Sequence, residues 1–199
     1  MTPTPTQTHH RTKQLLLDTG LGMLLERGYN DLGIQALLAA TELSKGSFYH
    51  HFKDKEEFAL AVVDHYMENV HAGLDEALLD PSRPPLHRVR RFFDVTQQHY
   101  KAQGYMGCLL GGLGQELSGV SEVFRKRIAA CIGEIAKRLG VCLEAARLEG
   151  ALPRDADTKR MANLLVDCWE GAALRSRLQG NASPLTAMLD FYFQSAATR

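Results

Sequence analysis

Three things are scarce in this chain: net charge, long apolar runs and paired cysteines. Lys and Arg number 23 and Asp and Glu also 23, so the formal net charge is zero. That balance excludes a protein that coats nucleic acid through a uniformly basic surface. Any affinity for phosphate must come from local clusters. No apolar stretch approaches the roughly 20 residues of a membrane-spanning helix, and the N-terminal MTPTPTQTHH lacks the apolar core of a signal peptide. No membrane partner is therefore expected, and the cytosol is the expected compartment. The four cysteines, Cys108, Cys131, Cys142 and Cys168, show no CxxC spacing and no accompanying histidine pattern, which argues against a zinc site. Cytosolic thiols stay mostly reduced. Cys131 and Cys142 stand eleven apart in one predicted helix, about 16 Å of rise, whereas a disulfide needs Cα atoms within about 7 Å.

Enzyme signatures are missing as well. GCLLGGLGQE, residues 107–116, has glycines but no GK followed by Ser or Thr, as a phosphate-binding loop requires. A dinucleotide fingerprint would need a glycine where Leu117 stands and a strand before it. No Ser, His and Asp set stands out, no carboxylate pair sits at a suggestive spacing, and no cofactor is expected. The glycines serve close helix packing, or a helix that deforms easily; each costs about 1 kcal/mol against alanine in a helix interior.

What is present is helical periodicity from end to end, without strand alternation or an internal repeat. The expected class is all α, with about nine helices. Residues 1–10 are expected to be a disordered tail, followed by one unit over 11–53 and a second over 54–199. The first helix is expected from Arg11 to Arg27, ended by Gly28. A long fourth helix from Asp54 to before Pro81 joins the two units, so it is the natural lever between them. The stretch Met161–Leu174 is apolar nearly all round, which calls for burial on more than one side. One side can line a cavity and another can meet a second subunit.

The organising stretch is GIQALLAATELSKGSFYHHFKDK, residues 33–55. It reads as a helix over Ile34–Ala40, a turn at Thr41-Glu42-Leu43, and a second short helix over Lys45–Phe52. Ser44 is placed to cap that second helix. Phe48 and Phe52, four apart, share its inward face. Lys45, Ser47, Tyr49, His50 and His51 point elsewhere, with no acid among them. Asp54 and Glu57 have capping-box spacing for the next helix. A short second helix with an outward face of Lys, Ser, Tyr and His is what a helix-turn-helix lays in the major groove.

These residues resemble the recognition-helix signature of TetR-family regulators: Ser44-Lys45-Gly46-Ser47-Phe48-Tyr49-His50-His51-Phe52, then Lys53-Asp54-Lys55-Glu56. The resemblance implies that Gly33, Ser44, Lys45, Gly46, Ser47, Tyr49, His50, His51 and Lys55 face double-stranded operator DNA. One departure stands at Gly33, where the family usually has Thr or Ser; the N–H remains but the hydroxyl contact is lost. The resemblance also implies that the last two helices build a four-helix bundle with those of a dimer mate.

Cys108 follows Gly107 at a predicted helix start, where unpaired N–H groups and the helix dipole favour a thiolate. The surrounding GCL and LGQE elements, with WEGAALRSRL at residues 169–178, resemble a narrower branch of the family. That branch responds to acrylate and to N-ethylmaleimide and other reactive electrophiles. It implies a sensor centred on Cys108, with Phe92, Tyr105, Trp169, Glu170 and Arg177 around a small effector. Where the branch often has lysine, Arg177 keeps the charge but offers no amine nucleophile. Glu170 reads either as a ligand contact or as a core acid paired with Arg175 or Arg177. The expected function is a homodimeric repressor released from a palindromic operator by such an effector. The rival is a small helical thiol enzyme that consumes electrophiles at Cys108, with no evident general base to turn it over.

Overall fold

A computed structural model of the protein describes residues 5–197. Among the described residues every regular element is an α-helix: α1 (Pro5–Arg27), α2 (Ile34–Thr41), α3 (Lys45–His51), α4 (Lys55–Leu78), α5 (Pro85–Ala102), α6 (Leu109–Leu117), α7 (Glu122–Leu148), α8 (Thr158–Gln179) and α9 (Ser183–Ala197). The ends follow local chemistry. The Ser44 hydroxyl accepts from the Ser47 N–H at 3.1 Å and starts α3. Asp54 accepts from the Glu57 N–H at 2.9 Å and starts α4. Glu57 answers one residue early, accepting from the Lys53 N–H at 2.8 Å rather than from the cap itself. Asp157 starts α8 in the same way, and Pro85, lacking an N–H to lose, opens α5.

The first helix is longer than its periodicity suggests. It opens at Pro5, so residues 5–10 are helical where a tail is expected; residues 1–4 lie outside the described residues. Proline is well suited to a first helical position, and His9 further on meets side chains of α3.

Two apolar cores divide the molecule, and their division is not the one at residue 53. One gathers Leu16, Leu24 and Leu37 of α1 and α2, Phe48 of α3 and Phe58 of α4 together with Leu109, Leu110, Leu113 and Leu117 of α6 and Phe124 of α7. The other gathers Leu74, Val89, Phe93, Leu139, Leu165, Trp169 and Leu185. So α6 and the start of α7 are packed into the core of the helix-turn-helix. Cys108 packs against both cores.

Within one chain α8 buries Leu165, Val166, Trp169, Ala172 and Ala173. Its opposite side leaves Leu164, Leu174 and Leu178 exposed, and α9 leaves Phe191 75% exposed. These exposed apolar side chains lie on two neighbouring helices and form one uncovered apolar face.

Candidate recognition helix and the cavity behind it

Helix α3 is pinned inward and free outward. Phe48 has no exposed surface and stacks edgewise on Phe58, with ring centroids 5.4 Å apart; Phe52 lies 5.0 Å from the same ring. That anchoring fixes the rotation of α3. Ser44, Lys45, Gly46, Tyr49 and His50 are exposed, with Ser47 and His51 half-buried. The Lys45 ammonium stands 5.8 Å from the Tyr49 ring, a cation–π pair on the outer face. Gly33 is the N-cap of α2 in an extended conformation, its carbonyl accepting from the Leu37 N–H and no side chain helping. Glu42 closes α2 in the left-handed region, φ 55°, and sends its N–H to the Leu38 carbonyl. Lys55 is turned back onto the α1–α2 loop: its ammonium donates to the Asn30 carbonyl at 3.3 Å and lies 4.5 Å from the Tyr29 ring.

A cavity of about 530 Å³ opens between α4, α5, α7 and α8. Its inner wall carries Cys108, Tyr66, Tyr100, Trp169 and Glu170, and Phe92 and Phe93 belong to the apolar lining. The Tyr66 hydroxyl lies 3.7 Å from the Cys108 sulfur. The Trp169 ring packs on Phe93 at 4.8 Å and on Tyr100 at 5.7 Å. Arg91 is the basic side chain of the lining besides His99, and it stands at the surface, paired with Glu76 at 3.3 Å. The inner wall therefore has one carboxyl group, one thiol, two phenols and no cation.

That wall overturns one expectation. Cys108 is the N-cap of α6, yet its thiol is pushed up to about 12, first by burial and then by the neighbouring Glu170 carboxylate. The Gly111 N–H and the Tyr66 hydroxyl pull the other way and do not win. At neutral pH Cys108 is a thiol, not a thiolate. Burial also raises Glu170, opposed by its hydrogen bond with the Cys108 thiol, and raises both tyrosines well above their ordinary value.

The remaining assignments sort themselves by contact. Glu170 pairs with neither Arg175 nor Arg177; it packs against Gly111, where a Cβ would fall 2.3 Å from its Oε2. At Gly114 a Cβ would make an ordinary contact with Ile128 at 3.6 Å, and Gly112 faces open space. Tyr105 stands outside the cavity lining, in a left-handed turn after α5 with φ 60°. Arg177 is not the basic partner of the thiol. Its guanidinium donates to the carbonyls of Leu25 at 3.0 Å, Glu26 at 3.0 Å and Met106 at 2.8 Å, a cation on the carbonyl end of α1.

The last residue of the LGQE element makes a contact that its sequence does not announce. At the far end of α6 the Glu116 carboxylate accepts from the Tyr29 N–H at 2.8 Å and the Asn30 N–H at 2.6 Å. Gly28 makes the approach possible: its φ is +79°, and a Cβ there would lie 2.6 Å from Glu116 Oε2. The end of α1 and the loop after it are thus clamped from two sides, by Arg177 on the Leu25 and Glu26 carbonyls and by Glu116 on the Tyr29 and Asn30 N–H groups. Asn30, held by Glu116, also receives Lys55. Helix α6, about 13 Å long, therefore spans from the cavity thiol to the loop that leads into the helix-turn-helix.

Comparison with known proteins agrees with this layout. Residues 16–62 match the family described as bacterial regulatory proteins, tetR family, and residues 85–192 match the tetracyclin repressor-like C-terminal domain. The chain is 34% identical to the transcriptional regulator AcuR of Cereibacter sphaeroides, over 94% of this chain and 85% of that one. It is 32% identical to the transcriptional repressor DhaR of Mycobacterium sp. strain GP1, over 92% and 91%. The solved reduced form of Escherichia coli NemR superposes with a TM-score of 0.81 at 29% identity, covering 91% of this chain and 95% of that one. These relatives are regulators, which sets aside the thiol-enzyme reading. From the capped recognition helix to the domain behind it, the chain belongs to the TetR family of transcriptional regulators.

Proposed function

We propose that the protein is a homodimeric repressor whose operator affinity is set by the occupancy of the Cys108 cavity. The observation that carries this reading is the placement of one short helix: α6 begins at the cavity thiol and ends in the Glu116 clamp on the helix-turn-helix. The apolar face of Leu164, Leu174, Leu178 and Phe191 supports pairing through α8 and α9. Two half-sites, roughly 34 to 36 Å apart, follow from pairing two recognition helices on one face of the duplex.

The composition of the inner wall favours a small neutral electrophile over an unsaturated acid. An anionic ligand would meet Glu170 at the inner wall, while the basic side chains of the lining, Arg91 and His99, stand at the surface with Arg91 already paired to Glu76. A neutral α,β-unsaturated compound meets apolar walls, two phenols as donors, and a thiol beside a carboxylate. Glu170 lies beside the thiol and takes its proton as the carbon–sulfur bond forms. In the addition, sulfur bonds to the β-carbon, the C=C π pair moves to the α-carbon, and that carbon takes a proton in turn. The added group presses on the start of α6 and biases the dimer toward a spacing that no longer fits DNA.

The test uses a duplex that the protein itself selects from a random-sequence pool. Tyr49→Ala should remain folded and dimeric and lose most of its affinity. Cys108→Ser should bind and resist release by N-ethylmaleimide, while Cys131→Ser, Cys142→Ser and Cys168→Ser should be released like the parent. Equal release of Cys108→Ser would remove the cavity thiol from the mechanism.

A further inference from the structure

The first turns of α1 bring a third imidazole to the outer face of α3. The His9 ring lies 4.2 Å from that of His51 and 5.0 Å from that of His50, and the latter two are 5.4 Å apart. Lys13 stands one turn further along α1, its ammonium 6.0 Å from the Phe52 ring. His9 and His50 are exposed, and His51 is half-buried. The charged groups acting on His51 are His9 and Lys13 from α1 and His50 from its own helix. None of them is an acid. The three rings are also not arranged to hold a metal ion. Three imidazoles gathered on one face, with no acid among the groups acting on His51, leave that face open to an anion from outside the protein.

We propose that His9, His50 and His51 form a phosphate-binding site that is filled in its protonated state, so that operator binding takes up protons and tightens as the pH falls. This rests on α3 being the DNA-contacting helix. The sign follows from the geometry. In the free protein, burial and then the neighbouring His9, His50 and Lys13 hold His51 below the ordinary imidazole value. A DNA phosphate against the rings stabilises the protonated form and raises their values in the complex. Affinity then grows as the pH falls through the bound-state values and levels off below those of the free protein. Phosphodiesters do not titrate in this range, so the slope belongs to the protein.

The experiment measures the dissociation constant of the selected duplex at pH 6, 7 and 8 and constant salt, together with binding heats at pH 7 in two buffers of different protonation enthalpy. For each proton taken up, affinity rises up to about tenfold per pH unit, and the buffer dependence of the heat reports the same number. With His9→Gln and His50→Gln combined, the gap from the parent should widen as the pH falls. Two results overturn the proposal while leaving the DNA-binding reading intact: tight binding that is independent of pH, or a gap that is constant across the range. A parent that selects no sequence at all overturns both.

Discussion

The recognition helix and the cavity are held together over different distances along the chain. Around α3 the decisive partners are close in sequence: Ser44 with Ser47, Asp54 with Glu57, Phe48 with Phe52 and, ten residues on, with Phe58. Around Cys108 they are remote. Tyr66 meets the thiol from 42 residues away, Glu116 reaches Tyr29 across 87, and Arg177 reaches Leu25 across 152. The first kind of site is rigid by local rule and presents a fixed surface. The second exists only while six helices keep their places, so a change in any of them is felt by the rest. A DNA-reading element needs the former property and a switch needs the latter.

The comparison breaks most visibly at Phe48. It is fully buried beneath the outer face, and Phe48→Ala should cost about 3 to 5 kcal/mol and abolish operator binding, as read by chemical denaturation and a binding titration. Tyr49→Ala, one residue on, should leave the denaturation midpoint unchanged. The cavity side is sharpened by the thiol. Because burial and Glu170 push Cys108 up to about 12, its thiolate fraction keeps rising with pH throughout the neutral range. Alkylation by iodoacetamide, read on the Cys108 peptide by mass spectrometry, should accelerate about a hundredfold from pH 7 to pH 9 with no plateau, whereas an ordinary thiol levels off near its value of about 8.5.

A smaller effect separates two adjacent glycines. Gly111→Ala drives a Cβ into the Glu170 carboxyl and should destabilise by about 1 to 3 kcal/mol. Gly112→Ala meets open space and should stabilise α6 by up to about 1 kcal/mol. Thermal unfolding of the two variants side by side checks the signs. If both stabilise, Glu170 moves aside freely, and the inner wall is looser than its contacts indicate.

The same comparison explains what was legible in the sequence. All nine described helices can be read from periodicity and breakers, because caps, glycines and prolines act within a turn of where they stand. The start of α1 at Pro5 was hidden, since QTHHRT carries no apolar stripe and its packing partner, α3, lies some forty residues on. Cys108 could be singled out by its position at a helix start, but its protonation state could not. That depends on Glu170 and Tyr66, which belong to other helices, and long-range burial outweighed the local dipole. Arg177 was visible as a charge, while its role on the α1 carbonyls was not. Glu116 stood in the sequence only as the last residue of the LGQE element, and its contact with the α1–α2 loop shows only once Gly28 is seen beneath it.

The central claim is that α6 carries the state of the cavity to the helix-turn-helix through the Glu116 clamp. It is tested most directly by the ratio of operator dissociation constants after and before N-ethylmaleimide treatment, measured in the parent and in Glu116→Ala. Coupling between sites of this kind is typically 1 to 3 kcal/mol, so the parent should weaken by about 5- to 150-fold. Glu116→Ala should still bind operator and still be modified at Cys108, with the ratio reduced to about 3-fold or less. An unchanged ratio in Glu116→Ala would contradict the account, because the signal would then be travelling by another route.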